Sequence, residues 1–450
     1  MNLAFNLFCA FIASYFLRVT ARSDLLGALH LDLLLAAATA GALIFMKRRP
    51  APLAARGPRR TKPPMEPVAK RLVILAAYVF LTLPFVEWPG SVLGNGLQLW
   101  GKSICFFFFV IGTVDSLDKL HRLMAVYVFC QVFRVLEPVY MHLVDGYWGS
   151  VTSISGWEYM DRLSGSPYDT INPNGLGFVI ATTLPLLHYL IPTRTKLWGT
   201  LYVTVVVLML YALVLSASRS GFLATALLGL ITIWRSKNRA ALLIVAVVGC
   251  VVGVSLMNDL QRDRYLSIVS SNARSSATAE GRVSGVIEDL EIAMRRPFFG
   301  HGLGTSKEAN AHFRNEDRPS HDLFTEVAQE LGFIGLALFL SIIWGIIQSC
   351  FAARAAVAVG GAGSEQRLFL SKVAESLLVL VGVDLFFSIA SYGMSEPYWY
   401  FIGGLAVVTS RLSRSQLPTA VPVAGKPAAV PVPVPAPAPR GQVRPRSVGS

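Results

Sequence analysis

Almost from end to end, the chain is divided into apolar runs of about the length that crosses a bilayer as a helix. Roughly 20 consecutive apolar residues are needed for one crossing. Runs near that length lie close to residues 2–17, 25–46, 71–88, 97–113, 120–144, 173–191, 197–216, 218–234, 239–257, 328–353, 368–391 and 396–410. Inside lipid every backbone polar group needs a partner within the protein, which a helix supplies segment by segment. The expected fold class is therefore all-α: a polytopic membrane protein with about 12 transmembrane helices and one long, partly helical loop on the outer side.

Composition agrees, since 53% of the 450 residues are hydrophobic and 15% are charged, against about 25% charged in soluble domains. A net charge of +13 would suggest nucleic acid as partner of a soluble protein. Here the bases cluster in short connections between apolar runs, which is an orientation signal; membrane lipids are the expected surroundings and no nucleic acid is expected. All five cysteines (Cys9, Cys105, Cys130, Cys250, Cys350) fall in apolar runs, so neither a disulfide framework nor paired zinc-ligand spacing is offered. Residues 3–17 lack a basic leader and a clear cleavage site and read as a retained first span.

With the N-terminus inside, the connections KRRPAPLAARGPRRTK, PTRTK and RSKNR, and RLSR with the tail, all fall on the cytoplasmic side. EWPGSVLGNG and SYGMSEP fall outside and contain no Lys or Arg, as the positive-inside rule requires. The chain divides into spans one to nine (1–257), an outer loop (258–326), spans ten to twelve (327–412) and a Pro/Ala-rich tail (413–450). The tail is too poor in varied apolar residues to build a core and is expected to be disordered. In the outer loop Val283, Val286, Ile287, Leu290 and Met294 recur at helical spacing until Pro297, predicting an amphipathic helix that lies on the membrane surface or caps a cavity.

Arg219, in SASRSG on the outer side, has two readings: an interfacial arginine snorkelling to headgroups, or a planar fork for phosphate or pyrophosphate. Its outer position, away from the favoured cytoplasmic face, tilts the balance to the second. Arg282 opens the loop helix, where a cation gains nothing from the positive helix end; it either pairs with Glu280 or Asp289 or meets an anion. Arg295 and Arg296 close the same helix, where cations belong.

In RPSHDLFTEVAQELG, Ser320 is the expected N-cap and His321 would occupy the first turn. There the helix dipole disfavours imidazolium and leaves a nitrogen to accept a proton, as a general base requires; the other reading is a surface-loop histidine. Asp322 is a partner for the dipole or the ring, and Glu330, about two turns on, would be slightly embedded. His301 and His312 match no zinc spacing, so no metal is expected. Gly300, Gly302 and Gly304 read as a tight turn rather than a phosphate cradle, and no cofactor is expected. Trp148, Trp157 and Tyr159 form either a sugar platform or an interface belt.

Three segments in this order, SASRSG (216–221), GRVSGVIEDLEIAMRRPFFGHGLG (281–304) and SHDLFTEVAQELGFIGLALFL (320–340), together resemble the O-antigen ligase and polymerase superfamily of bacterial envelope enzymes. NPNGLGFVIATTLPLL (172–187) is similar to the Asn-rich entry to a mid-chain span in that family. The resemblance covers roughly residues 170–400. It implies a metal-independent, inverting glycosyltransferase of the bacterial inner membrane with its active site facing the periplasm. The donor it implies is a glycan on undecaprenyl pyrophosphate, and the acceptor lipid A core or, for a polymerase, a growing glycan. By the same resemblance Arg219 and Arg282 bind the pyrophosphate and His321 is the base, while Asp322 stands where the family more often has Asn. A reading from another class is a polysaccharide flippase, which would place its key charges within spans and show internal repeats.

Overall fold

The computed structural model describes residues 2–48, 65–155, 158–191, 195–267, 277–320, 322–359, 365–389, 393–415 and 449. The basic segment 49–64, Trp157, His321 and nearly all of the Pro/Ala-rich tail lie outside the described residues.

Helices dominate. In chain order they are α1 (Asn2–Phe16), α2 (Val19–Arg22), α3 (Asp24–Ala28), α4 (Leu31–Arg48), α5 (Pro67–Thr82), α6 (Pro89–Ser91), α7 (Leu97–Thr113) and α8 (Leu117–Asp145). A hairpin of β1 (Gly149–Ser155) and β2 (Glu158–Leu163) follows. Then come α9 (Pro173–Leu190), α10 (Lys196–Ser216), α11 (Arg219–Arg235), α12 (Arg239–Leu256), α13 (Asp259–Leu266) and α14 (Ala277–Arg295). The last four are α15 (Ser306–Arg314), α16 (Leu323–Val359), α17 (Glu365–Ser388) and α18 (Pro397–Ser415).

Each of the apolar runs picked out above coincides with a helix. Six helical stretches among the described residues are long and apolar enough to cross a membrane: Pro67–Phe85, Pro89–Thr113, Leu117–Asp145, Lys196–Ser216, Arg239–Leu256 and Leu323–Ala358. Asn2–Phe16 and Leu31–Phe45 are shorter apolar helices. α9 and α18 are not among these, and their surroundings explain the composition: both are buried along most of their length, so they face protein and need no uniformly apolar surface. α12 is the opposite case. None of its residues is buried, and Ile244, Val245, Val248 and Val251 are all exposed, as suits a helix that meets lipid on most sides.

The hairpin corrects the expectation of a purely α chain. β1 and β2 pair antiparallel from Gly149↔Leu163 to Ser155↔Glu158, with an irregularity between Ser153 and Ser155. Ser/Thr/Val alternation on a short polar stretch favours a strand, and Met160 and Leu163 turn inward from it. Trp148, next to the hairpin, packs its ring 4.4 Å from that of His142, while Tyr159 is exposed.

Two local devices position the candidate residues. The first is the crossing of α9 and α11. Asn172 caps α9, its Oδ1 accepting from Gly175 N at 2.8 Å, and Pro173 takes the first helical position. Ser218 caps α11 by accepting from Gly221 N at 3.2 Å. A Cβ on Gly221 would stand 2.8 Å from the Gly177 Cα and 2.9 Å from a Leu213 methyl, so the two helix starts touch backbone to backbone. Gly221→Val should push them apart at a cost of about 1–3 kcal/mol or more. The expected result is a lowered thermal midpoint in detergent together with lost activity; an unshifted midpoint would contradict the close approach.

The second device is a break in α16. Gly332 has φ 69° and ψ 178°, which frees carbonyls at membrane depth, where they must find partners. The loop after α14 supplies them: His301 N and Gly302 N donate to Gln329 O and Glu330 O at 2.8 and 2.9 Å. Phe333 N donates to Pro297 O at 2.7 Å, and the Tyr78 hydroxyl lies 2.8 Å from Leu331 O. The segment after α14 is thereby keyed into the bundle.

Candidate functional site

Arg219 is the first residue of α11. A guanidinium at a helix N-terminus opposes the dipole, and two further arginines meet the same turn. The preceding turn passes through Ala217 in the left-handed region (φ 46°), and its carbonyls are held by two buried arginines. Arg162 donates from Nε to Ser216 O at 2.9 Å and from Nη2 to Asn174 Oδ1 at 2.9 Å. Arg264 donates from Nε to Ala217 O at 2.9 Å. Arg219 itself donates from Nη1 to Ser267 Oγ at 2.8 Å, and that hydroxyl donates to Arg264 O at 2.7 Å. Three guanidinium groups thus belong to one turn.

Arg162 and Arg264 were not among the sequence candidates. Both sit in long polar segments whose charges carry no orientation signal, so nothing local set them apart from surface arginines.

The second part of the site is organised by a residue that entered the sequence reading only as a pairing option for Arg282. Asp289, in the middle of α14, is 4% exposed and gathers three elements around its carboxylate. Ser320 Oγ donates to its Oδ2 at 2.6 Å, Gln329 Nε2 of α16 donates to its Oδ1 at 3.2 Å, and Arg314 of α15 donates at 3.4 Å. Arg314 is shared with Glu288 and Glu316. The helix that contains Arg282 is therefore tied directly to the turn that contains His321. The side chains of Arg282 and His321 lie outside the described residues; α14 includes Arg282 in its second turn, and His321 stands between the described Ser320 and Asp322.

One expectation about this turn changes. Ser320 is not the N-cap of α16. Asp322 is: its Oδ1 accepts from Thr325 N at 2.8 Å, the bond a cap makes to the third helical residue. Ser320 is drawn instead to the buried Asp289 carboxylate, and a charged acceptor makes the stronger bond. In sequence His321 then precedes the cap rather than falling in the first turn. Burial pushes the Asp322 carboxyl above the usual carboxylate range, with the nearby Asp289 charge acting in the same direction and the Thr325 bonds opposing it.

Glu330 has a structural task. Buried, it accepts from Gly304 N at 2.7 Å and Ser306 N at 3.3 Å, closing the glycine turn in which Gly300, Gly302 and Gly304 have φ of 70°, 133° and 76°. Those values favour glycine and bear out a tight turn. His301 is equally committed: Nδ1 lies 2.6 Å from Glu87 Oε2, Nε2 lies 3.1 Å from Ile292 O, and Trp88 stacks on the ring. Its nitrogens are occupied by the fold. The apolar stripe of α14 points away from the core, with Ile287, Leu290 and Met294 exposed while Asp289, Ile292 and Ala293 are buried. A helix anchored through its polar face with an apolar face outward suits the membrane surface.

Residues 204–340 match the family model described as O-Antigen ligase. That segment contains Arg219, Arg264, Arg282, Asp289 and the Ser320–Glu330 region. No curated protein matches the chain.

Proposed function

We propose that the chain, whose residues 204–340 match the O-antigen ligase family model, is a glycosyltransferase of the ligase type. It moves a glycan from undecaprenyl pyrophosphate to an acceptor such as lipid A core, on the periplasmic face of the bacterial inner membrane. His321 takes the proton from an acceptor hydroxyl. The oxygen attacks the anomeric carbon from the face opposite the leaving group, the carbon–oxygen bond to the pyrophosphate breaks, and the electron pair leaves with the carrier diphosphate. Arg219 and Arg282 bind that diphosphate and offset the charge developing on it, the kind of stabilisation that is strongest where water is excluded. The sugar–diphosphate bond supplies the driving force, so no nucleotide is needed.

The observation that carries this reading is the Asp289 node, which joins the Arg282 helix to the His321 turn in one buried network. Asp289→Ala removes the acceptor and frees the turn; displacing a reacting group by about 1 Å can cost about 10²-fold in rate. The expected outcome is a comparable loss of transfer in membranes, with a smaller loss for Asp289→Asn, which keeps one acceptor oxygen and turns the other position into a donor. Equal activity of Asp289→Ala would remove the support.

Ligase and polymerase are separated in cells. Deleting the gene should remove all polymer from the lipopolysaccharide, whereas lipopolysaccharide that keeps a single repeat unit would mark a polymerase.

A further inference from the structure

A polar chamber near the two parts of the transfer site is lined by none of its candidate residues. Four separate parts of the chain wall it: Tyr15 and Arg18 around the end of α1, Arg134 of α8, Asn172 at the cap of α9, and Glu396 and Tyr398 at the start of α18. Its volume is about 290 Å³, at the small end for ligand pockets, so it suits a compact polar ring rather than a lipid chain.

Arg134 is consumed by structure. Its Nε and Nη2 hold Asp169 at 2.6 and 3.1 Å, and Nη1 lies 3.0 Å from Gln131 Oε1 and 3.1 Å from the Tyr398 hydroxyl. Arg18 is used far less. Among the described residues its one ion pair, Nε to Asp169, spans 3.6 Å and its side chain is 39% exposed, which leaves guanidinium donors for the chamber. Arg18 also holds a left-handed backbone (φ 53°), strain that a non-glycine residue bears where position matters. Among the described residues, none donates a hydrogen bond to the Glu396 carboxylate, although Arg18 and Arg134 are its electrostatic neighbours.

Two arginines set against Asp169 and Glu396 leave the chamber without net charge, which disfavours phosphate as its occupant. A donor in Arg18, an acceptor in Glu396 and the rings of Tyr15 and Tyr398 match the hydroxyls and carbon faces of a sugar.

Its location fits. Asn172 is two residues from Asn174, the partner of Arg162, which braces the Arg219 turn. Glu396 is two residues from Met394, whose N–H is accepted by Glu326 of α16 at 3.2 Å, the helix that follows His321.

We propose that this chamber is a glycan subsite holding an uncharged sugar ring, with Glu396 accepting from and Arg18 donating to its hydroxyls. Its place in transfer rests on the function proposed above; its affinity for saccharide does not. Donor and acceptor both carry sugars, and kinetics tell them apart.

The test uses the full chain in nanodiscs and, as probe, the oligosaccharide released by mild acid from the host's own lipopolysaccharide. Binding is followed by calorimetry for wild type, Glu396→Gln and Arg18→Gln. Each variant should bind about tenfold more weakly or worse, the usual consequence of losing a charge-assisted hydrogen bond. In the transfer assay KM should rise for one sugar substrate, donor or acceptor, with kcat little changed, and the substrate affected identifies the ring. Unaltered binding and KM in both variants would overturn the proposal, and if one variant fails to insert, the other decides alone. Weakened binding in the variants of a protein that transfers nothing would leave the subsite standing and remove the transferase reading.

Discussion

His321→Ala should abolish glycan transfer, lowering kcat by about 10²–10⁴-fold, the usual contribution of a positioned general base, while donor binding persists. The neighbouring anchors of this turn are made by other residues. Asp322 makes the α16 cap through Thr325 N, and Ser320 is fixed by Asp289. The purified variant should therefore match wild type in its unfolding midpoint, and single-turnover transfer from a carrier-linked donor gives the rate. A variant that transfers at the wild-type rate would return His321 to the status of a loop histidine and leave the base unassigned.

Arg219→Gln should cost about 10²–10³-fold in kcat, the scale found when one preorganised donor to a developing anion is removed. The glutamine can still bond Ser267 Oγ, so little stability should be lost with it. Arg219→Lys should restore only part of the activity, because an ammonium supplies charge without the fork that meets two oxygens of a diphosphate. Normal transfer by Arg219→Gln would favour the reading in which the residue snorkels to headgroups. Arg162 and Arg264 would then remain as a brace for the turn, with no anion to serve.

Helix positions were legible because apolar runs of bilayer length leave few alternatives, and the α14 stripe because its period is helical up to Pro297. The hairpin was passed over: its alternation from Gly149 to Leu163 is short and lies among polar residues, where a loop is the default reading. The cap of α16 was misplaced by two residues because Ser320 and Asp322 are both good caps and only the distant Asp289 decides between them. Arg134 did carry a signal, an arginine within the apolar run 120–144, where a charge is costly unless paired; its partner Asp169 lies 35 residues away. Glu330 was noticed for its depth, but its role in closing the glycine turn depends on a contact across 26 residues. What escaped the sequence is thus the set of long-range polar contacts that hold the loops, and the family match reaches only the segment where the short motifs lie.

The most direct test is transfer by the purified full chain in proteoliposomes supplied with undecaprenyl-pyrophosphate-linked glycan and lipid A core. The expected result is a new glycosidic bond of inverted configuration, with undecaprenyl pyrophosphate released in equal amount and none formed by His321→Ala. Movement of the donor across the bilayer with no new bond would contradict it and mark the chain as a transporter.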